Sequence, residues 1–287
     1  MPFENTTCNL CHSNKSVVVF PATPEIEDSA PADDYNTPSY KPQHFEIIRC
    51  TTCGLVRAGR ADDFITRAAF YAACQSEPSP TEEANQAATA QSRLSHIQRE
   101  FFPGSTLLDV NCGQGIFVAE AMKLGWQADG INPSENEVLT ARRRSPWSHI
   151  YVGNIESAIF PAASYDVITL WNVLEHTDNP RAVIERLTPW LSSGGLLVMT
   201  LPNINSVQAQ IMGKQWPMLK RNTLWYFSPK NIKQLLTELG FEKIVVRPVR
   251  RKLSLEALFN LSGPLKRISV WVPTGEMEVS SQLKNAL

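Results

Sequence analysis

Two Cys-x-x-Cys pairs, Cys8-Asn-Leu-Cys11 and Cys50-Thr-Thr-Cys53, lie near the start of the chain with 38 residues between them. Each such turn presents two thiolates on one knuckle, and two knuckles supply the four soft ligands that a tetrahedral zinc ion takes. Gly54, directly after Cys53, lets the backbone turn so that amides face the sulfurs. The gap between the pairs is longer than in an ordinary zinc ribbon, and two disulfides or idle thiols are the competing readings. With four cysteines and no open position, the expected metal is structural rather than catalytic. His12, next to Cys11, is either a substitute ligand or a solvated loop histidine, and Cys74 and Cys112 have no partner at useful spacing.

The second stretch that could do chemistry is Leu107-Leu-Asp-Val-Asn-Cys-Gly-Gln-Gly115. An apolar run ends in Asp109, a turn carries Gly113 and Gly115, and an amphipathic segment follows at once. Glycines at such a strand–helix turn allow a ligand to approach the backbone closely. The third glycine of a dinucleotide fingerprint would fall at position 118, which is valine. The spacing therefore points to an adenosine-type ligand or to a plain strand–turn–helix, with a dehydrogenase disfavoured.

These residues need elements to position them. Alternating apolar and amphipathic segments predict strands at 106–110, 126–131, 149–152, 166–170, 196–201 and 241–247, with helices at 115–124, 134–144, 180–191 and 228–239. Strands alternating with helices imply a mostly parallel sheet covered on both faces. Short β-prone runs at 17–20 and 45–48 flank a Pro-rich surface loop, 21–42, that lies between the knuckles. A run free of glycine and proline to Phe102 predicts a helix starting near Thr81. Val270-Trp-Val272 and residues 277–280 are candidate strand pieces.

Twenty-seven basic residues against 28 acidic ones exclude a strongly basic nucleic-acid binder and an acidic tail. No apolar run approaches the roughly 18 residues of a membrane span, and the first residues lack the pattern of an export signal. The expectation is a soluble cytoplasmic protein, with no nucleic-acid or membrane partner and an undetermined oligomeric state.

The chain resembles the class I S-adenosylmethionine (SAM) methyltransferases, and more narrowly those with an N-terminal zinc ribbon, which include sugar C-methyltransferases. The resemblance runs through Cys50-Thr-Thr-Cys-Gly-Leu-Val56, Leu108-Asp-Val-Asn-Cys-Gly-Gln-Gly115 and Gly130-Ile-Asn-Pro-Ser134. It continues in Tyr165-Asp-Val-Ile-Thr-Leu-Trp-Asn-Val-Leu-Glu-His176, Asp178-Asn-Pro180, Gly194-Gly195, Leu201-Pro-Asn203, Phe227-Ser228 and Leu239-Gly-Phe241. It implies an α/β, Rossmann-like class I sheet with helices on both faces, joined to a small N-terminal zinc-ribbon module. The implied division is residues 1–60 for the ribbon, 61–102 for a helical linker and 103–287 for a SAM-binding domain.

By this resemblance Asp109, Asn111, Cys112, Gly113, Gln114 and Gly115 pass under the methionine part of SAM. Asn132 and Pro133 meet the ribose, Asn154 and Ile155 the adenine, and Trp171 and Asn172 line the pocket. Zinc would be held by Cys8, Cys11, Cys50 and Cys53. The family usually has glycine at Asn111, an acid at Asn132 and often an acid at Asn154, and a histidine stands where this chain has Thr223. Asn tolerates a left-handed backbone, but a neutral amide lacks the charge assistance of a carboxylate, so weaker SAM binding or an adapted pocket is expected. Tyr71 corresponds loosely to an aromatic near the cofactor.

The implied activity is methyl transfer to a small-molecule acceptor, such as a nucleotide-linked sugar. The alternative is a ribbon protein whose Rossmann-like domain binds such a ligand without turning it over. His176, followed by Glu175, is the candidate base for an acceptor that must lose a proton, unless the pair merely caps its strand. Trp216, Trp225, Tyr226 and Phe227 form either an acceptor wall or core. Arg247, Arg250, Arg251 and Lys252 form either a phosphate contact or a solvated strand edge.

Overall fold

The structure, a computed structural model, describes residues 7–24, 42–63, 66, 78–254 and 268–284. Tyr71, Cys74 and most of the Pro-rich loop lie outside the described residues.

Three strands come first: β1 (Ser16–Phe20), β2 (Ile47–Cys50) and β3 (Val56–Ala58). Helix α1 (Pro80–Ile97) follows, then β4 (Thr106–Val110), α2 (Ile116–Lys123), β5 (Gln127–Asn132), α3 (Glu135–Arg144), β6 (Ile150–Val152) and β7 (Tyr165–Trp171). The chain continues through α4 (Pro180–Leu187), β8 (Leu191–Pro202), α5 (Val207–Met212), β9 (Trp225–Tyr226), α6 (Pro229–Glu238), β10 (Phe241–Ser254) and β11 (Ser269–Leu283).

Seven strands form the main sheet in the order β10-β11-β8-β7-β4-β5-β6. The pairs β4–β5, β5–β6, β4–β7 and β7–β8 are parallel, and β11 enters antiparallel between β8 and β10. From β4 the chain first builds outward through β5 and β6, then returns to place β7 on the other flank. That reversal opens a crevice at the carboxyl ends of β4 and β7, where ligands of open parallel sheets sit.

The two faces can be followed along β4. Leu107 packs with Val118 and Ala121 of α2, Leu94 of α1 and Val138 of α3. Leu108 packs in the other core with Val183, Ile184 and Leu187 of α4 and Ile232 and Leu236 of α6. A strand buried on both sides needs apolar residues at successive positions. The i, i+1, i+4 spacing of Val183, Ile184 and Leu187 gives α4 one buried stripe, each side chain contributing about 1.5–3 kcal/mol over the exposed state.

Several boundaries differ from the sequence reading for local reasons. The N-cap of α1 is Ser79, whose Oγ accepts from Glu82 N, because Pro80 occupies the first helical position, where no N–H is needed. The same helix stops at Ile97, and Phe102 is exposed. Pro189 cannot continue α4, so a 3-10 turn, Thr188–Trp190, leads straight into β8. The two strand pieces expected near the end of the chain belong to one long strand, β11. Strand β10 runs seven residues past its expected end, with Pro248 accommodated at a register shift on the sheet edge. This extended hairpin reaches α1, where Lys252 N donates to Thr89 Oγ1 at 3.3 Å.

A second, antiparallel sheet runs β1-β2-β3-β9. Its last strand is contributed by the segment after β8, so the cysteine-bearing strands are paired directly to the main fold. Trp216, Trp225, Tyr226 and Phe227 are at most 1% exposed and share one apolar core with Ile47, Leu55 and Val56. They are core at this joint, which settles the two readings left by the sequence.

Candidate functional site

At the crevice, β4 gives way to a turn in which Asn111 (φ 60°), Gly113 (φ 53°) and Gly115 (φ 73°) are left-handed. Asn111 takes the conformation expected of a glycine there. Gly115 is sterically required, since a Cβ would lie 2.7 Å from the Cβ of Ala141. Above this turn is a cavity of about 460 Å³, walled on one side by Asp109, Gly113, Gln114 and Trp171 and on the other by α1.

Asp109 is 2% exposed and its Oδ1 accepts from Thr169 Oγ1 at 2.7 Å. Burial pushes its carboxyl up to about 7. Trp171 forms the floor, with the Phe117 ring edge-on at 5.0 Å and the Arg93 guanidinium stacked 4.2 Å from its ring centre. Its indole Nε1 has no hydrogen-bond partner. Cys112 also lines the cavity; it packs beneath Gly130, and burial raises its thiol well above the usual range.

Asn132 does not line the cavity. Its Oδ1 accepts from Gly113 N at 3.1 Å, and its Nδ2 donates to Glu137 Oε2 at 2.7 Å. Glu137, five residues on in the first turn of α3, does face the cavity and brings a carboxylate to it. Burial raises the Glu137 pKa, and the Asn132 hydrogen bond opposes that rise.

The four cysteine sulfurs lie within 4.8 Å of one another, with Cys8 Sγ 3.4 Å from Cys53 Sγ and Cys11 Sγ 3.5 Å from Cys50 Sγ. These separations exclude disulfides and suit zinc, whose bonds of about 2.3 Å to four thiolates place the sulfurs about 3.8 Å apart. Among the described residues no histidine joins the cluster, which leaves His12 in the loop. Arg57 is buried nearby, where the cysteines' negative charge partly offsets its desolvation. Asn231 of α6 donates to the Cys53 carbonyl at 2.9 Å.

A family model described as a methyltransferase domain matches residues 81–246. The chain belongs to that family. A ubiquinone biosynthesis O-methyltransferase from Rhodopseudomonas palustris is 28% identical over 146 residues, covering 47% of this chain and 58% of the relative. One from Xanthomonas campestris pv. campestris is 32% identical over 117 residues, covering 39% and 49%. The chain spans about half the length of the curated relatives it matches.

Among solved structures, a magnesium protoporphyrin IX methyltransferase from Synechocystis with bound SAH aligns at a TM-score of 0.51 and 14% identity, covering 78% of this chain and 89% of that one. A SAM-dependent methyltransferase from Thermotoga maritima, described as a possible histamine N-methyltransferase, aligns at 0.51 and 18%, covering 70% and 91%. These likenesses show the class I methyltransferase fold.

Within this methyltransferase domain the cavity brings together Asp109, Asn111, Cys112, Gly113, Gln114 and Trp171 of the cofactor residues implied by the resemblance. Gly115, Pro133, Asn154, Ile155 and Asn172 lie outside its walls. Asn154 caps its own loop by accepting from Ser157 N at 2.9 Å, and the Ile155 carbonyl accepts from Arg186 Nε at 2.7 Å. Asn172 is a hub beneath the surface. Its Nδ2 donates to Glu175 Oε1 at 3.1 Å and Glu276 Oε1 at 2.6 Å, while Arg251 Nη2 donates to its Oδ1.

Neither candidate base lines the cavity. His176 Nδ1 is 2.7 Å from the carbonyl of Asn222, so that nitrogen donates and the ring pins the segment leading to β9. Glu175 is 2% exposed, burial pushes its carboxyl up to about 8, and its backbone carbonyl accepts from Leu224 N at 2.8 Å. The pair ties the end of β7 to β9.

Sequence reasoning missed Glu137 and Arg93, which line the cavity; of the basic run it left between a phosphate contact and a solvated edge, Arg251 and Lys252 line the cavity and Arg247 and Arg250 do not. A signal was present for Arg93. Asn85, Thr89 and Arg93 recur at i, i+4, i+8 on α1, and polar residues on a buried helical face mark a wet site. Among the described residues no helix is long and apolar enough to cross a membrane.

Proposed function

We propose that the chain is a SAM-dependent methyltransferase acting on a small-molecule acceptor. The supporting observation is the open cavity over the left-handed turn at Asn111–Gly115, with buried Asp109 and half-buried Glu137 on its walls. When bound, SAM supplies an electrophilic methyl group on a sulfonium whose departure needs no proton. The chain's own contribution is alignment, charge and exclusion of water. Glu137, held by Asn132, accepts hydrogen bonds from the ribose hydroxyls in place of the acid absent at position 132. Asp109 presents negative charge to the cationic part of the ligand. The Trp171 face supports the reacting end, and α1 covers it.

The relatives' printed names favour an oxygen acceptor and an enzyme over a non-catalytic binder. With His176 and Glu175 turned away, an acidic hydroxyl such as a phenol suits the cleft, because it needs orientation and desolvation more than a strong base. We infer further that Cys8, Cys11, Cys50 and Cys53 hold one structural zinc ion. Residues 1–60 then act as a ribbon seated on β9, with 61–102 as the linker to the SAM-binding domain.

Calorimetric titration tests the donor assignment. S-adenosylhomocysteine is expected to bind with one site per chain. No heat from it or from SAM at millimolar ligand overturns the reading.

A further inference from the structure

We propose that the end of the cleft formed by α1 and β10 is an acceptor subsite, in which Arg93 and Arg251, with Lys252 beside them, hold a carboxylate carried by the methyl acceptor. The proposal rests on the methyltransferase reading and names the class of its substrate.

Arg93, Arg251 and Lys252 are among the residues lining the cavity, Lys252 tied to α1 through its backbone N–H. Arg93 lies flat on Trp171 at 4.2 Å, and its Nε has no hydrogen-bond partner. Arg251 donates through Nη2 to Glu276 and Asn172, but its Nε is likewise without a partner. A guanidinium Nε–H in a buried place is a strong donor left in reserve, and both of these belong to residues lining the same cavity.

Burial, and then the neighbouring positive charge of Arg251, push Arg93 down to about 10. Lys220, close by, is lowered by burial and by the same arginine. Such mutual repulsion is what an anion placed between the cations relieves.

The acids nearby do not meet this need. Glu276 is engaged by Arg251, Asn172 and Thr274, and Glu278 by His96 at 3.0 Å. Glu82 and Glu137 lie toward the other end, where Arg144 bridges Glu83 and the Gln114 carbonyl. Asp109, the remaining acid beside Arg93, is committed to Thr169 Oγ1. Arg93 stands on Trp171, between the turn and the β10 edge of the sheet. The turn and Glu137 belong to the β4–β5 half of the sheet, whereas Arg251 arrives from β10 on the far edge, beyond Trp171 and β7.

The test is calorimetry with sodium benzoate and its neutral isostere benzamide, each titrated into full-length protein saturated with S-adenosylhomocysteine. Benzoate is expected to bind at least about tenfold more tightly than benzamide, a typical worth of charge-assisted hydrogen bonds. Arg93→Met should erase that preference and Arg93→Lys restore part of it, with S-adenosylhomocysteine affinity changed by less than about twofold. Equal affinity for benzoate and benzamide, including no binding of either, overturns the proposal. So does an Arg93→Met variant that loses S-adenosylhomocysteine as strongly as benzoate, because the cations would then serve the donor's own carboxylate. Should Arg93→Met fail to fold, the benzoate–benzamide comparison on the wild-type chain decides alone. Absence of S-adenosylhomocysteine binding would overturn the methyltransferase reading instead, and the same pair of titrations without it still reads the cations.

Discussion

Around the four cysteines the chain turns back on itself. Gly54 N donates to the Cys50 carbonyl, His12 N to the Cys8 carbonyl, and Asn231 reaches from α6 to hold the Cys53 carbonyl. In the cleft, Trp171 Nε1, Arg93 Nε and Arg251 Nε stand without partners, and Asp109 is a carboxyl held far from its ordinary pKa. One region spends its polar groups on its own geometry. The other gathers partnerless groups around an open cavity, as sites that bind something do, whereas the partnerless Trp216 Nε1 at the ribbon joint lies in closed core. Substitutions in the first region should therefore act on folding and those in the second on binding.

The largest effect is expected at the cysteines. Cys50→Ser should remove one zinc per chain by elemental analysis and lower thermal stability by more than about 10 °C, since structural zinc contributes directly to folding. Because β3 pairs with β9, and β9 is tied to the end of β7, S-adenosylhomocysteine binding should fall as well. Wild-type protein purified without chelator and containing almost no zinc would overturn the structural role of the cysteines.

Two tryptophans sharpen it next. Trp225 is fully buried with Nε1 donating to the Thr177 carbonyl, so Trp225→Ala should cost about 3–5 kcal/mol in a denaturant melt. Trp171 faces the cavity, and Trp171→Ala should instead weaken ligand binding with a clearly smaller loss of stability. Equal losses of stability at both positions would erase the distinction.

Glu137→Gln should weaken S-adenosylhomocysteine binding by about tenfold with little change in melting temperature, because a neutral amide forms weaker hydrogen bonds to hydroxyls. Unchanged affinity would remove Glu137 from the ribose.

The smallest effect concerns pH. Asp109 has its folded-state pKa raised to about 7 from 3.8 by burial. The folded state therefore holds a proton that the unfolded chain has lost, and stability declines as pH rises between those values. Asp109→Asn should raise the melting temperature at pH 8 by about 3 °C, a shift of order 1 kcal/mol. In the wild type, affinity for the cationic donor should fall as pH drops below about 7, a trend the variant should lack. A variant less stable than wild type at pH 8 contradicts this account.

Much of the fold was legible because its cues are local. The β4 turn showed in two glycines and an asparagine, α4 in the spacing of Val183, Ile184 and Leu187, and the knuckles in four cysteines. Strand β9 was not legible, since two residues carry no periodicity and Trp225 and Tyr226 serve a pocket wall as well as a core. The far half of β10 was hidden because Pro248 and the run Arg250-Arg251-Lys252 look like solvated edge. His176 drew notice for its chemistry, but its ring is committed to the Asn222 carbonyl, a partner 46 residues away.

The class of fold, the glycine turn and the four-cysteine cluster could be read from local pattern, because helical period, strand alternation and Cys-x-x-Cys spacing act over a few residues. Only the tertiary structure decided which polar groups enter the cleft. That choice depends on chain crossings: α1 laid over the turn, the β10–β11 hairpin brought against it, and Asn132 drawn inward to Gly113 so that Glu137 faces the cavity. Contacts between segments so far apart in the chain leave no pattern in either segment alone.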